Sequence, residues 1–259
     1  MMKITVLNDD TAGNGCSAEH GLSFLVEADV TFLFDTGPSD IFLRNAKVLG
    51  VPLEGVATIV LSHRHYDHSN GLKYLKGQRL ICHPDVFKAN FRKGKTSPIG
   101  MPMAKREAEK QFRIIYTNEP FHLSEHVIFL GGIPRLNNFE AQTTVFVDEN
   151  GNDDFMPDDS GVAIKTGKGL VVISGCAHSG ICNMVAHAIK VTGVKKVHAV
   201  IGGFHLKENN SQTKRTIEYL KQLNVEKVIP SHCTELPALV AFYKVWPFTQ
   251  VKSGQAIHF

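Results

Sequence analysis

The densest chemistry in this chain lies in Ser62-His63-Arg64-His65-Tyr66-Asp67-His68, where three imidazoles and a carboxylate fall within six residues. In extended backbone, residues two apart project to the same side, so His63 and His65 can face one cation. Asp67 and His68 follow as the chain turns toward a helix near Gly71, and can reach a second cation close by. Imidazole and carboxylate donors suit Zn2+, with Fe and Mn as alternatives. Core packing rarely concentrates such groups, so a two-cation centre is the expectation.

A cluster of this kind needs further donors from distant segments. Four short apolar, β-branched runs each end in a polar or metal-capable group. Thr58–Leu61 leads into Ser62-His63, and Leu170–Ile173 into Gly175-Cys176-Ala177-His178. Val197–Ile201 leads into Gly202-Gly203-Phe204-His205, and Val225–Ile229 into Pro230-Ser231-His232. Continuous apolar runs belong to strands buried on both faces. Helical segments separate or follow them, at Gly71–Leu75, Ile181–Val191, Gln212–Leu223 and Leu236–Lys244. Earlier, Ile4–Leu7, Leu22–Ala28 and Thr31–Phe34 read as strands, the last two forming a hairpin around Asp29, and Ile41–Leu49 reads as a helix. This alternation predicts an α/β layered architecture with its site beyond the carboxyl ends of the strands. All four histidine-bearing groups sit at that end.

The stretch 84–119 differs, being rich in Lys and Arg and holding Pro98 and Pro102. It reads as a partly helical insertion in a single domain spanning 1–259. It would lie over or beside the site, as a solvated excursion or as a substrate lid.

The His-x-His-x-Asp-His string resembles the signature of the metallo-β-lactamase superfamily, and Phe32-Leu33-Phe34-Asp35-Thr36-Gly37 is similar to its early strand ending in Asp-x-Gly. The resemblance implies a four-layer αββα sandwich whose two sheets feed ligands to one edge. It implies that Asp35 supports the metal loop through hydrogen bonds, against the plainer reading of a turn residue. It also implies that His232, in Ile229-Pro230-Ser231-His232-Cys233-Thr234, is a ligand at the end of a late strand. With His178 added, His63, His65 and His178 would hold one cation, and Asp67, His68 and His232 the other. Two segments depart from the superfamily pattern. Pro157-Asp158-Asp159-Ser160 stands where a Gly-His-Thr-like motif is expected, and Gly175-Cys176 where a bridging aspartate is expected. The bridging carboxylate is then absent, replaced by Cys176, or supplied by Asp158 or Asp159.

The segment Ser174-Gly175-Cys176-Ala177-His178-Ser179-Gly180-Ile181-Cys182-Asn183 narrows the resemblance. Together with Glu19-His20-Gly21-Leu22-Ser23-Phe24, Gly202-Gly203-Phe204-His205-Leu206 and Ser231-His232-Cys233-Thr234, it is similar to one branch of the superfamily. That branch is named for the 7,8-dihydropterin-6-methyl-4-(β-D-ribofuranosyl)aminobenzene-5′-phosphate synthases of the methanopterin pathway. Many of its members resemble metal-dependent hydrolases, so the branch leaves the reaction open.

Among the remaining groups, His205 follows two glycines at a strand end and reads as a phosphate clamp or general acid, against a structural histidine. Asp67 could orient a water as well as bind metal. His20, in a polar turn before the hairpin, could reach the rim of the site. Cys176 reads equally as a ligand or a small buried residue. Arg135 and Glu140 either line the pocket or are solvated. His83, His122, His126, His187, His198 and His258 lack motif context and read as structural.

Composition narrows the partners. A net charge of +3 without basic clusters interleaved with aromatics argues against nucleic acid. A phosphorylated small-molecule substrate fits local positive charge. The start lacks the pattern of a signal peptide, and no apolar run is long enough to span a bilayer. The five cysteines are scattered with no Cys-x-x-Cys pair, which suits reduced thiols in a cytoplasmic protein. The resulting expectation is a metal-dependent hydrolase that uses two divalent cations, zinc first, to activate water against a small phosphoester or related ester. The alternatives are a dihydropterin-methyl transferase releasing pyrophosphate and a non-catalytic or redox-sensing metal protein. Oligomeric state is not written in these patterns.

Overall fold

A computed structural model of the chain describes residues 2–259. Strand β1 (Lys3–Asn8) pairs antiparallel with β2 (Ser23–Glu27), and β2 with β3 (Thr31–Phe34), in the register Val26↔Phe32. From β3 the pairing turns parallel, through β4 (Thr58–Val60) and β5 (Arg79–Cys82). After the short β6 (Phe91–Arg92), β7 (Arg113–Tyr116) adds parallel to β5. A second sheet opens with antiparallel β8 (Phe121–His122) and β9 (Val127–Phe129), while β10 (Phe146–Val147) pairs with β6 in a separate ribbon. Strands β11 (Gly161–Thr166) and β12 (Gly169–Ser174) are antiparallel, and β13 (Val197–Gly203) and β14 (Lys227–Ser231) follow in parallel. Finally β15 (Ala256–His258) returns beside β1. The sheet orders are β15-β1-β2-β3-β4-β5-β7 and β14-β13-β12-β11-β9-β8.

Alternate side chains of these strands face two different apolar layers. Phe24 and Phe34 of the first sheet meet Phe129, Val162, Val171 and Ile173 of the second, forming the core between the sheets. On the outer face of the second sheet, Leu170 and Val172 pack with α4 (Ile181–Thr192), α5 (Ser211–Gln222) and α6 (Leu236–Tyr243), through Met184, Leu220 and Phe242. On the outer face of the first, Leu25, Leu33, Ile59 and Leu80 pack with Phe42 of α1 (Ile41–Val48) and Ala108 of α3 (Lys105–Gln111). Each fully buried Val, Ile or Phe contributes about 1.5–3 kcal/mol. The layers run helix, sheet, sheet, helix, which is the αββα sandwich expected.

Three local expectations need adjustment. The helix after the histidine string begins earlier than Gly71. The carbonyl of His65 accepts the amides of His68 (3.0 Å) and Ser69 (3.1 Å), closing α2 (Tyr66–Ser69), and a 3-10 turn continues it over Asn70–Tyr74. Asp67 and His68 therefore sit on a helical turn, and only His63 and His65 lie in the extended approach. The last run starts at Lys227, because Asn224 is left-handed (φ 51) and the Val225 amide still caps α5 at Leu220. Lastly, 84–119 is not an insertion throughout. Its end forms α3 and β7, and Ile114 and Ile115 extend the first sheet in register with Leu80 and Ile81. Only the stretch before α3 runs past the site, where the Tyr66 amide donates to Ile99 O (3.0 Å).

Candidate metal centre

The carboxyl ends of β3, β4, β12, β13 and β14 and the loop after β1 meet at one sandwich edge. Asp35 turns the chain there in left-handed backbone (φ 57). Its fully buried carboxylate accepts the Ser62 amide (2.7 Å), the Ser62 hydroxyl (2.7 Å) and His68 Nδ1–H (2.8 Å). Gly175 lets β12 close against this point, since a Cβ there would collide with the Ser62 hydroxyl. Both sheets thus share one polar anchor.

The hydrogen-bond partners fix which ring nitrogens stay free. His63 Nδ1–H donates to Ser62 Oγ (2.8 Å), His65 Nε2–H to Asn90 Oδ1 (3.1 Å), and His232 Nδ1–H to Asp10 Oδ1 (2.7 Å). With His68 Nδ1–H held by Asp35, the opposite nitrogens of His63, His65 and His68 carry lone pairs, and that of His232 is free once its second proton is displaced. Those nitrogens converge. His65 Nδ1 lies 3.1 Å from His63 Nε2 and 3.2 Å from His178 Nε2. His68 Nε2 lies 3.1 Å from His232 Nε2, and Asp67 Oδ2 is 3.6 Å from the first and 3.4 Å from the second. Donors on a tetrahedron around Zn2+ would be about 3.3 Å apart. Facing lone pairs repel unless a cation or a shared proton lies between them, and all these donors converge, so the donor set fits metal, in the grouping His63, His65, His178 and Asp67, His68, His232.

The electrostatics agree with that grouping. Burial, reinforced by the neighbouring imidazoles, holds His63 and His178 well below the usual histidine range, and burial takes His65 to about 3. These three rings are neutral and their lone pairs available. Burial pushes the Asp67 carboxyl up, but His68 and His232 outweigh it and keep Asp67 ionised. His232 is the opposite case. Burial disfavours its charge, yet hydrogen bonds to Asp10 and Asp67 raise it well above its ordinary value.

A pH prediction follows from that difference. Below its raised pKa the metal-free chain holds a proton on His232 that a cation must displace. Affinity at Asp67, His68 and His232 should fall about tenfold per pH unit on acidification, while affinity at the neutral His63, His65 and His178 set stays level around neutrality. Calorimetry at pH 7 in buffers of different ionisation enthalpy should show a proton released with one class of site. Metal uptake without proton release would contradict the His232 assignment.

Cys176 occupies the junction between the clusters. Its Sγ lies 3.2 Å from His68 Nε2 and groups with both His63 and His68. The alternative bridging carboxylates are corrected by the structure. Asp158 accepts the Arg64 amide (2.8 Å) and pairs with its guanidinium (2.9 Å), and Asp154 takes the other guanidinium edge. Arg64 is fully buried and needs these charges. Asp159 accepts the Ser179 amide (2.9 Å), bracing the loop that carries His178. Neither carboxylate joins the converging donors. Asp158→Ala should therefore cost about 1–3 kcal/mol, by leaving the Arg64 amide and one guanidinium edge without an acceptor while Asp154 still pairs with the other, with metal per chain unchanged in the folded fraction. Thermal melting and metal analysis check this, and loss of metal without loss of stability would restore Asp158 as a ligand.

The remaining candidates separate clearly. His20 reaches the rim, pairing with Asp10 (2.7 Å) and approaching Asp67 Oδ2 (3.5 Å). His205 stands beside His178, ring centroids 4.4 Å apart, and lines a cavity of about 660 Å3 that also holds Phe146, Arg92 and Lys207. Glu140 is buried as the acceptor of the first α4 amides, at Cys182 (2.9 Å) and Asn183 (3.0 Å), and does not line the cavity. Arg135 donates to the Phe155 carbonyl outside the donor clusters. His83, His187 and His198 bond Asn118, Leu130 O and Glu226. Of the basic residues in 84–119, Lys88 and Lys93 pair with Asp85 and Asp153, and Arg92 reaches the cavity. Sequence reasoning missed Asp10, Asn90 and Cys233. Only Asp10 carried a signal, lying two residues beyond a strand's carboxyl end.

Comparison with known proteins places this geometry among relatives. A family model described as the metallo-beta-lactamase superfamily matches residues 17–85. The chain is 36% identical to the 7,8-dihydropterin-6-methyl-4-(beta-D-ribofuranosyl)-aminobenzene-5′-phosphate synthase of Methanocaldococcus jannaschii, covering 100% of this chain and 97% of that one. It is 31% identical to an uncharacterized protein of the same organism, over 98% and 99% of the two chains. A crystal structure of a metal-dependent hydrolase of the β-lactamase superfamily superposes with a TM-score of 0.89 at 30% identity, over 100% of this chain and 99% of that one.

Proposed function

Because this chain belongs to the metallo-β-lactamase superfamily, a superfamily of metal-dependent enzymes, we propose that it hydrolyses a small phosphoester or related ester at a centre of two divalent cations, zinc by preference. The carrying observation is that two adjacent sets of converging donors lie beside a cavity bearing His178, His205 and cationic side chains. His63, His65 and His178 would hold one cation and Asp67, His68 and His232 the other, with Cys176 between them. Bound there, the pair supplies Lewis acidity toward phosphoryl oxygens and toward water.

The chain's own groups account for positioning. Asp67 stays ionised and accepts a hydrogen bond from the attacking water, aligning it. His205 donates an N–H to the phosphoryl group. Arg92 and Lys207 at the cavity wall, with the α5 N-terminus near Asn210, favour an anionic substrate. Water adds at phosphorus, the ester P–O bond breaks, and the departing oxygen takes its proton from solvent. Five free, scattered cysteines suit a reducing compartment, and on that ground we place the protein in the cytoplasm.

A second reading is favoured by the full-length identity to the synthase. In it the cations bind a diphosphate leaving group while a dihydropterin-methyl carbon is transferred. The readings part in one assay. Release of phosphate or alcohol from phosphoesters, with no second substrate, supports hydrolysis. Pyrophosphate release that requires both a dihydropterin diphosphate and an aryl ribose phosphate overturns it in favour of transfer.

A further inference from the structure

Beside the two cation clusters lies a third convergence that hydrolysis does not require. Cys176, His205 and Cys233 each present a donor atom, and these atoms lie within 4.8 Å of one another. They arrive from three successive strand ends, β12, β13 and β14. Two backbone features force them together. His205 and His232 both take left-handed backbone (φ 50 and φ 48), which turns the chain sharply after β13 and β14. Gly203 then leaves room for the thiol, since a Cβ there would stand 2.6 Å from Cys233 Sγ. The His205 amide also donates to that sulfur (3.3 Å).

The independent sign of a ligand is His205 Nδ1. This nitrogen is buried and has no hydrogen-bond partner. An imidazole nitrogen without a partner beside two thiols is open to a cation when the ring's proton sits on Nε2. Two sulfurs and one imidazole supply three of the four ligands of a tetrahedral zinc site, the number found where zinc keeps a place for an exogenous ligand. The soft sulfurs select Zn2+, Co2+ or Cu+ over Mg2+ or Ca2+.

We propose that Cys176, His205 and Cys233 form a third, thiolate-rich cation subsite that shares Cys176 with the main centre and opens on the substrate cavity. Cys176 can serve both, because a thiolate sulfur carries several lone pairs and this one already lies 3.2 Å from His68 Nε2. The subsite holds whichever of the two reactions the enzyme performs. It adds a Lewis-acidic cation beside His178, on the cavity side, to which a donor oxygen of a substrate can bind.

Cobalt is the probe. Metal-free, reduced protein would be titrated with Co2+ while thiolate-to-cobalt charge-transfer absorption and bound equivalents are followed. The wild type should bind a third equivalent, and the charge-transfer band that Cys176 gives with the main centre should roughly double as it binds. Cys233→Ser should lose that equivalent and roughly halve the band, since one of two sulfurs remains. His205→Ala, which keeps both sulfurs, should weaken the third equivalent at least tenfold. A paired His63→Ala and His178→Ala variant should lose a histidine-bound equivalent and keep the band, which separates this subsite from the main centre. A wild type with no third equivalent, or a band and stoichiometry untouched by both Cys233→Ser and His205→Ala, overturns the proposal.

Discussion

Replacing His65 and Asp67 together by alanine is expected to leave a folded chain that has lost most of its metal and roughly a thousandfold or more of its activity. The two residues belong to different clusters, so the pair disables both at once. His65 contributes one of three converging nitrogens, with contacts of 3.1 and 3.2 Å. Asp67 supplies the carboxylate facing His68 and His232. Neither residue belongs to the apolar layers that hold the sandwich. Stability should fall by only about 1 kcal/mol, within the range of ordinary substitutions. Circular dichroism melting paired with metal analysis checks both halves. A folded double variant with full metal occupancy would refute the ligand assignment.

The second large effect belongs to Asp35, which touches no cation site directly. Its carboxylate accepts from Ser62 twice and from His68 once, at 2.7, 2.7 and 2.8 Å, in a fully buried position. Asp35→Ala leaves three buried donors without acceptors, and an expected cost of about 3–5 kcal/mol follows. Because His68 loses its orienting partner, metal affinity should also drop about 10–100-fold. Asp35→Asn separates the two effects. Its amide keeps the volume and one acceptor, but its NH2 cannot receive His68 Nδ1–H. The His68 proton then moves to Nε2, the nitrogen that should face metal. Asp35→Asn should therefore lose affinity with a smaller fall in Tm, read by calorimetry and thermal melting on the same samples. Wild-type affinity in Asp35→Asn would show that the hydrogen bond to His68 is not what orients it.

Much of this site is local in sequence, and that is why it could be read. His63, His65, Asp67 and His68 are neighbours, and two-residue periodicity with a following turn already divides them between the two donor groups that the structure brings together. His178, His205 and His232 were reachable by a different route, since each follows an apolar run and parallel strands deliver their carboxyl ends to one edge. What stayed illegible depends on pairings across long separations. Asp10 holds His232 across 222 residues, and its place just past a strand end does not say which residue it meets. Asn90 holds His65 from a loop whose conformation sequence does not specify.

The errors have the same origin. Asp158 and Asp159 looked available as bridging carboxylates because nothing in the sequence shows that Arg64 is buried and must be neutralised nearby. In 84–119 the density of Lys and Arg masked a short apolar pair, Ile114-Ile115, that completes a sheet edge. At the other extreme of the chain, β15 is only Ala256–His258, too short to be distinguished until its partner β1 is in view. No helix among the described residues is long and apolar enough to cross a membrane.

The central claim is that side chains far apart in the chain surround neighbouring cations at one sheet edge. Anomalous diffraction from crystals of zinc-loaded protein tests it most directly. The expected map has one peak enclosed by His63, His65 and His178 and another enclosed by Asp67, His68 and His232. Zinc peaks located only elsewhere on the molecule, with those imidazoles still facing each other and nothing between them, would contradict it.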